Sequence, residues 1–150
     1  MIKINEKDIN KVVNSERKAA YAILENENGQ IAVVRHRDWG LIFPGGKIDD
    51  NEKTDETIKR ETKEEIGYEV AELKYYNTTE AYYDVEARGT VYYCHSIAEF
   101  YTGKILNKVQ APIETDTSIE LYYPRDLFGK MKLDFQNVIL EKLYGESSIY

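Results

Sequence analysis

This sequence predicts an α+β fold, a mixed β-sheet with helices packed on it, and three observations carry the expectation. Runs rich in Tyr, Val and Thr recur through most of the chain, as they do in strands. Thr54–Ile66 is bracketed by helix start and stop residues, and Phe135–Tyr144 places Val138, Ile139, Leu140 and Leu143 at helical spacing. No linker-like stretch splits the 150 residues, so one domain over 1–150 is expected, with 1–16 as an N-terminal extension.

The elements follow in order. Arg17 to Glu25 reads as a strand, Asn26-Glu27-Asn28-Gly29 as a turn and Gln30 to Arg37 as a second strand, together a β-hairpin. Trp39 to Phe43 is a short apolar segment stopped by Pro44-Gly45-Gly46, after which a loop is expected. In the helix that follows, Thr54 can serve as cap, Asp55 and Glu56 suit the positive end, and Gly67 is placed to terminate it. Tyr68–Tyr76, Glu80–Val85 and Gly89–Tyr101 read as antiparallel strands, Thr102-Gly103 to Thr117 as a loop, and Ile119–Tyr123 as a last strand closed by Pro124. The amphipathic C-terminal helix then covers one sheet face.

Composition narrows the function. A net charge of −7 argues against a nucleic-acid binder, which would present a basic surface, and implies that phosphates are met through a cation. Cys94 is the sole cysteine, which excludes an intrachain disulfide, and with only His36 and His95 beside it structural zinc is not expected. Both histidines read as strand residues. No apolar run approaches the ~18 residues of a membrane span, and no apolar leader segment follows Met1, so the expected address is the cytoplasm. A homodimer is left open.

Chemistry concentrates in the first helix, where offsets of three and four place Glu61, Glu64 and Glu65 on one face. A charge-rich helix is ordinarily a solvated, salt-bridged surface, so the cationic neighbours decide the matter. Asp55 has Lys59 and Glu56 has Arg60 four residues on, whereas only Glu64 among the later acids has a cation, Arg60, at helical spacing. The cluster left uncompensated predicts a divalent cation. Carboxylate oxygens without Cys or His favour Mg²⁺, with Mn²⁺ as substitute, and Mg²⁺ commonly shares its shell with substrate phosphates.

Gly46, five residues, Glu52, seven residues and Arg60-Glu61-Thr62-Lys63-Glu64-Glu65-Ile66-Gly67-Tyr68 resemble the Nudix box, G-x5-E-x7-R-E-U-x-E-E-x-G-U, where U is a bulky aliphatic residue. Seven specified identities coincide, and the departures are Thr62 and Tyr68 at the U positions. Trp39–Phe43 with Pro44-Gly45-Gly46 resembles the strand and turn that enter the box. The resemblance implies an α/β/α sandwich and a MutT-like hydrolase of a nucleoside diphosphate joined to another group. It implies metal binding by Glu61, Glu64 and Glu65, a carbonyl ligand from Gly45 or Gly46, and bracing of the loop by Arg60 with Glu52 and Gly67. Asn51, where glycine is frequent, tolerates the left-handed conformation.

The implied chemistry is Mg²⁺-assisted attack of water on a diphosphate, with Glu65 as first choice of general base and Glu114, in the loop before the last strand, as runner-up and further metal ligand. Trp39, Phe43, Tyr82 and Tyr83 are candidates to stack on a base and Arg35 and Arg37 to meet phosphates, though with 13 tyrosines packing is the simpler role for any one of them. A nucleoside triphosphate, oxidised or not, is the first substrate expectation. Dinucleoside polyphosphates or nucleotide sugars come second, and the rival from another class is a non-catalytic nucleotide-binding module.

Overall fold

The structure, a computed structural model, describes residues 1–145; the last five positions of the expected domain, 146–150, lie outside the described residues. Eight strands form one mixed sheet: β1 (Ile2–Ile4), β2 (Ser15–Glu25), β3 (Ile31–His36), β4 (Gly40–Ile42), β5 (Gly45–Lys47), β6 (Tyr68–Ala87), β7 (Thr90–Lys108) and β8 (Thr117–Tyr122). Their order is β1-β6-β7-β2-β3-β4, with β5 beside β2 and β8 beside β3. The helices are α1 (Thr54–Ile66), the single turn α2 (Pro124–Leu127) and α3 (Asp134–Tyr144).

The sandwich follows from β2 and β3, which are apolar on both sides. Alternate side chains point to opposite faces. Ala19, Tyr21, Ile23, Ile31 and Val33 pack with Leu127, Phe135, Ile139 and Leu140 of α2 and α3. Ala20, Ala22, Leu24, Ala32 and Val34 pack with Ile58 and Ile66 of α1. The α+β architecture read from the sequence is therefore present, with helices on both faces. No helix among the described residues is long and apolar enough to cross a membrane.

Several boundaries differ from expectation for identifiable reasons. Residues 45–47, expected to open a loop, form β5, because two glycines let the backbone lie flush against β2 in the register Tyr21↔Gly45 and Ala20↔Gly46. The break expected between Tyr76 and Glu80 is absorbed as bulges in one continuous strand β6, whose register on β7 shifts near Tyr75/Asn77. Thr102-Gly103 does not turn the chain: β7 runs on to Lys108, and Gly103 serves a close approach, since a Cβ there would lie 2.8 Å from Leu73 Cδ2. The extension at 1–16 contributes β1, which pairs in parallel with β6.

Helix α1 begins one residue earlier than a Thr54 cap would require. Lys53 occupies the cap position without a side-chain hydrogen bond, and the Thr54 hydroxyl instead meets Tyr101. The stop at Gly67 is as expected, with φ 78° and its N–H bonded to the carbonyls of Thr62 and Lys63. Thr62 is fully buried and its hydroxyl has no hydrogen-bond partner among the described residues. Thr62→Val keeps the shape and removes the unmet hydroxyl, so it is expected to stabilise the protein by about 1 kcal/mol, a rise of roughly 2–4 °C in Tm. Calorimetry showing no change or a fall would refute this.

Candidate active site

Four segments meet at the acidic end of α1. The strand β5 runs past it with Gly45 and Gly46, which have no side chains. A Cβ on Gly46 would stand 2.8 Å from the Glu61 carboxyl carbon, and one on Gly45, at φ 143°, would stand 2.1 Å from the Ala20 carbonyl oxygen. The Gly45 N–H donates to Glu65 Oε1 at 3.0 Å. Between β5 and α1, Asn51 turns the loop at φ 64°, the left-handed conformation that asparagine tolerates.

Arg60 holds that loop. Its Nε and Nη2 donate to the two oxygens of Glu52 at 2.7 and 3.0 Å, a bidentate pair, and Nη2 also reaches the Lys47 carbonyl at 3.1 Å. Nη1 donates to Glu61 at 3.0 Å and Glu64 at 3.3 Å, and Asp49 completes the ring of acids. This corrects the expected pairing. Arg60 leaves Glu56 for the loop, and Glu61, expected to lack a cation, has one at the adjacent position. A sheltered bidentate contact outweighs an exposed helical pair. One guanidinium is nevertheless divided among four carboxylates, so the site keeps an excess of negative charge.

The fourth segment is the loop between β7 and β8. Its backbone is strapped to the end of α1: Val109 N–H donates to Gly67 O, Ile113 and Glu114 N–H to Glu64 O, and the Thr117 hydroxyl to Glu65 O. The strap carries the Glu114 carboxylate to α1, where one oxygen from each of Glu61, Glu64 and Glu114 lies within 4.8 Å of the others. Glu61, Glu65 and Glu114 face a cavity of about 460 Å³.

Burial sets the electrostatics. Glu65 is only 4% exposed, and desolvation lifts its pKa well above the ordinary range, opposed by the Gly45 N–H. Desolvation lifts Glu61 to about 7 against the pull of Arg60, and Glu64 and Glu114 add repulsion. Glu52 moves the opposite way, to about 2, held by hydrogen bonds from Arg60 and Thr57.

Of the remaining candidates, Trp39 and Tyr83 line the cavity. Phe43 does not, because it is fully buried edge-on to Phe100 in the core, with its N–H donating to the buried Gln136 side chain at 2.7 Å. Arg35 is likewise removed from the site, paired with Glu120, which also accepts from the Tyr122 hydroxyl. Tyr82 stacks on His95 and Tyr93 instead of lining the cavity. Sequence reasoning passed over Arg17 and Tyr21, both cavity residues. Their signal was a cation on the same face of β2 as a buried tyrosine.

Compared with known proteins, residues 15–139 match the NUDIX domain. The chain is 45% identical over 47 residues to the putative 8-oxo-dGTP diphosphatase YtkD of Bacillus subtilis, 31% of this chain and 30% of that protein. It is 42% identical over 53 residues to the 8-oxo-dGTP diphosphatase of Haemophilus influenzae, 32% of this chain and 39% of that protein. The aligned stretch thus spans about a third of these relatives. Among solved structures, a MutT NUDIX hydrolase from Burkholderia pseudomallei superposes with a TM-score of 0.65 at 19% identity, over 87% of this chain and 99% of that one. The Bacillus subtilis pyrophosphohydrolase BsRppH gives 0.60 at 27% identity, over 95% and 90%.

Buried Glu65 and half-buried Glu61 make stability depend on pH. An acid with a raised folded pKa takes up a proton on folding, so its contribution is full below the unfolded value and lost as pH rises through the folded one. For Glu61 that window runs from 4.5 to about 7, and for Glu65 it extends higher. Chelator-treated protein is therefore expected to lose Tm between pH 5 and 8, and Glu65→Gln, which keeps the acceptor for Gly45, to regain it at pH 8 but not at pH 5. A flat Tm profile across this range would overturn the assignment.

Proposed function

The chain belongs to the NUDIX family, and from that premise we propose that it is a Mg²⁺-dependent pyrophosphohydrolase acting on a nucleoside triphosphate, with oxidised forms the first to try. The observation that carries the reading is the convergence of Glu61, Glu64 and Glu114 within 4.8 Å beside the paired glycines of β5. This all-oxygen, hard donor set fits Mg²⁺ or Mn²⁺. The whole of the described chain serves as one catalytic domain in this reading.

Glu61, Glu64 and Glu114 would hold the metal, and a backbone carbonyl of Gly45 or Gly46 would add a ligand, as the resemblance to the family implies. When bound, Mg²⁺ supplies charge neutralisation at the diphosphate and a lowered pKa for water. Arg60 orients Glu61 and Glu64 from one side while its bidentate grip on Glu52 fixes the loop. Glu65 is the general base: Gly45 fixes one of its oxygens, leaving the other to accept the proton of the attacking water. Trp39, on the cavity wall, is the stacking surface for the base in place of Phe43.

The choice of substrate is supported by the relatives named as 8-oxo-dGTP diphosphatases. A second observation favours a larger molecule. A neighbouring cavity of about 750 Å³ shares Trp39, Tyr83 and Phe135 with the first, which leaves room for the second nucleoside of a dinucleoside polyphosphate.

Incubation with Mg²⁺ and a panel of nucleoside di- and triphosphates, their 8-oxo forms, dinucleoside polyphosphates and nucleotide sugars, with product identification, separates these readings. Release of pyrophosphate from a triphosphate, abolished by chelation, is expected, and no turnover on any member would favour the binding module. Glu65→Gln is expected to lower kcat by at least roughly 10²-fold while remaining folded; wild-type rates in that variant would assign the proton to another group.

A further inference from the structure

Arg17 is a cation with no counter-charge in a cavity otherwise rich in acid. It lies on β2, four residues before Tyr21 and on the same face, and its Nη2 donates to the Tyr21 hydroxyl at 3.3 Å. Among the described residues it forms no ion pair. The ionisable groups that bear on it most are two phenols and a thiol, those of Tyr21, Tyr83 and Cys94. This separates Arg17 from Arg60, whose guanidinium is surrounded by carboxylates, and from Arg35, which is committed to Glu120. Its side chain is half-buried, so water compensates its charge only in part.

The register explains why Arg17 faces the site. Tyr21 and Ala20 pair with Gly45 and Gly46, so the side chains on the Tyr21 face of β2 run along the glycine strand, and Arg17 extends that row. Arg17, Gly46, Glu61 and Glu114 line one cavity. A ligand entering it meets acidic groups suited to a metal and, separately, a planar guanidinium free to donate two parallel hydrogen bonds. Only a group that binds a metal through some oxygens and accepts from a guanidinium through others satisfies both.

We propose that Arg17 is a phosphate-binding residue of this site, receiving a phosphoryl group of the substrate's diphosphate that the metal does not fully neutralise. The inference rests on the hydrolase reading for the identity of the substrate, but the anion site follows from a guanidinium without an ion pair among the described residues and from its place in the cavity. Tyr21 holds the guanidinium in place and donates no charge. Arg17 acts on binding, so its effect falls on KM and on product affinity more than on kcat.

Two probes test this: inorganic pyrophosphate with Mg²⁺ by calorimetry, and steady-state kinetics on a triphosphate the wild type turns over. Arg17→Gln is expected to weaken pyrophosphate binding and raise KM by roughly 10- to 100-fold, with kcat changed much less. Its Mg²⁺ affinity without nucleotide should stay within about twofold of wild type, and Arg17→Lys, which keeps the charge but not the fork, should fall between. Turnover by the wild type with an unchanged KM in Arg17→Gln overturns the inference and leaves the hydrolase reading standing. Pyrophosphate binding that requires Arg17, in a protein that hydrolyses nothing, supports the anion site and overturns that reading. Equal losses of Mg²⁺ affinity and Tm in both variants identify a structural role and overturn the inference, as does a wild type that binds no pyrophosphate.

Discussion

The contact between the two glycines of β5 and the carboxylates of buried Glu65 and half-buried Glu61 is the constraint from which the site follows. Gly46 has no room for a Cβ against Glu61, and Gly45 has none against β2, so the strand is clamped between sheet and helix. Because β5 sits there, its Gly45 N–H can meet Glu65, and the loop that follows must double back towards Arg60. Lifting β5 by the width of one methyl group would separate the carboxylates from the backbone that positions them.

The same contact creates an electrostatic debt that the polypeptide settles only in part. Arg60 is divided among Glu52, Glu61, Glu64 and Asp49, and its strongest bonds go to Glu52, which belongs to the loop. Folding therefore drives acids on one helix in opposite directions from the loop acid: Glu52 is held ionised, while Glu61 and Glu65 are pressed towards their neutral forms. A chain optimised for stability alone would place apolar groups at such depth. Retaining carboxylates there fits the proposed cation, which would offset the negative charge that Arg60 leaves over.

Much of this was legible in the sequence because it is local. The spacing of Gly46, Glu52, Arg60, Glu61, Glu64 and Glu65 encodes loop and helix in one stretch, and the helical spacing of Val138, Ile139, Leu140 and Leu143 announces the helix that covers one sheet face. What depends on long-range packing was not. The burial of Phe43 is decided by Phe100 and by Gln136 on the last helix, far away in sequence. Gly103 reads as a turn until the opposing Leu73 is seen to need its space. Charge pairing by helical offset held between Arg60 and Glu64 but failed between Glu56 and Arg60, since offsets describe an isolated helix and the loop competes for the same guanidinium. Arg17 escaped notice for a related reason: a cation at a strand end reads as solvated until the sheet places the glycine strand beside it.

The strap that brings Glu114 to α1 is made of backbone donors at Val109, Ile113 and Glu114 and carbonyls at Glu64 and Gly67. Only two side chains among the described residues add to it, the Gln110 amide donating to the Lys63 carbonyl at 3.4 Å and the Thr117 hydroxyl to that of Glu65. The alignment of that carboxylate is thus insured against sequence drift: neighbouring positions can be rewritten over generations while the acid stays in register, and an amino-acid motif drawn around it would find nothing to hold.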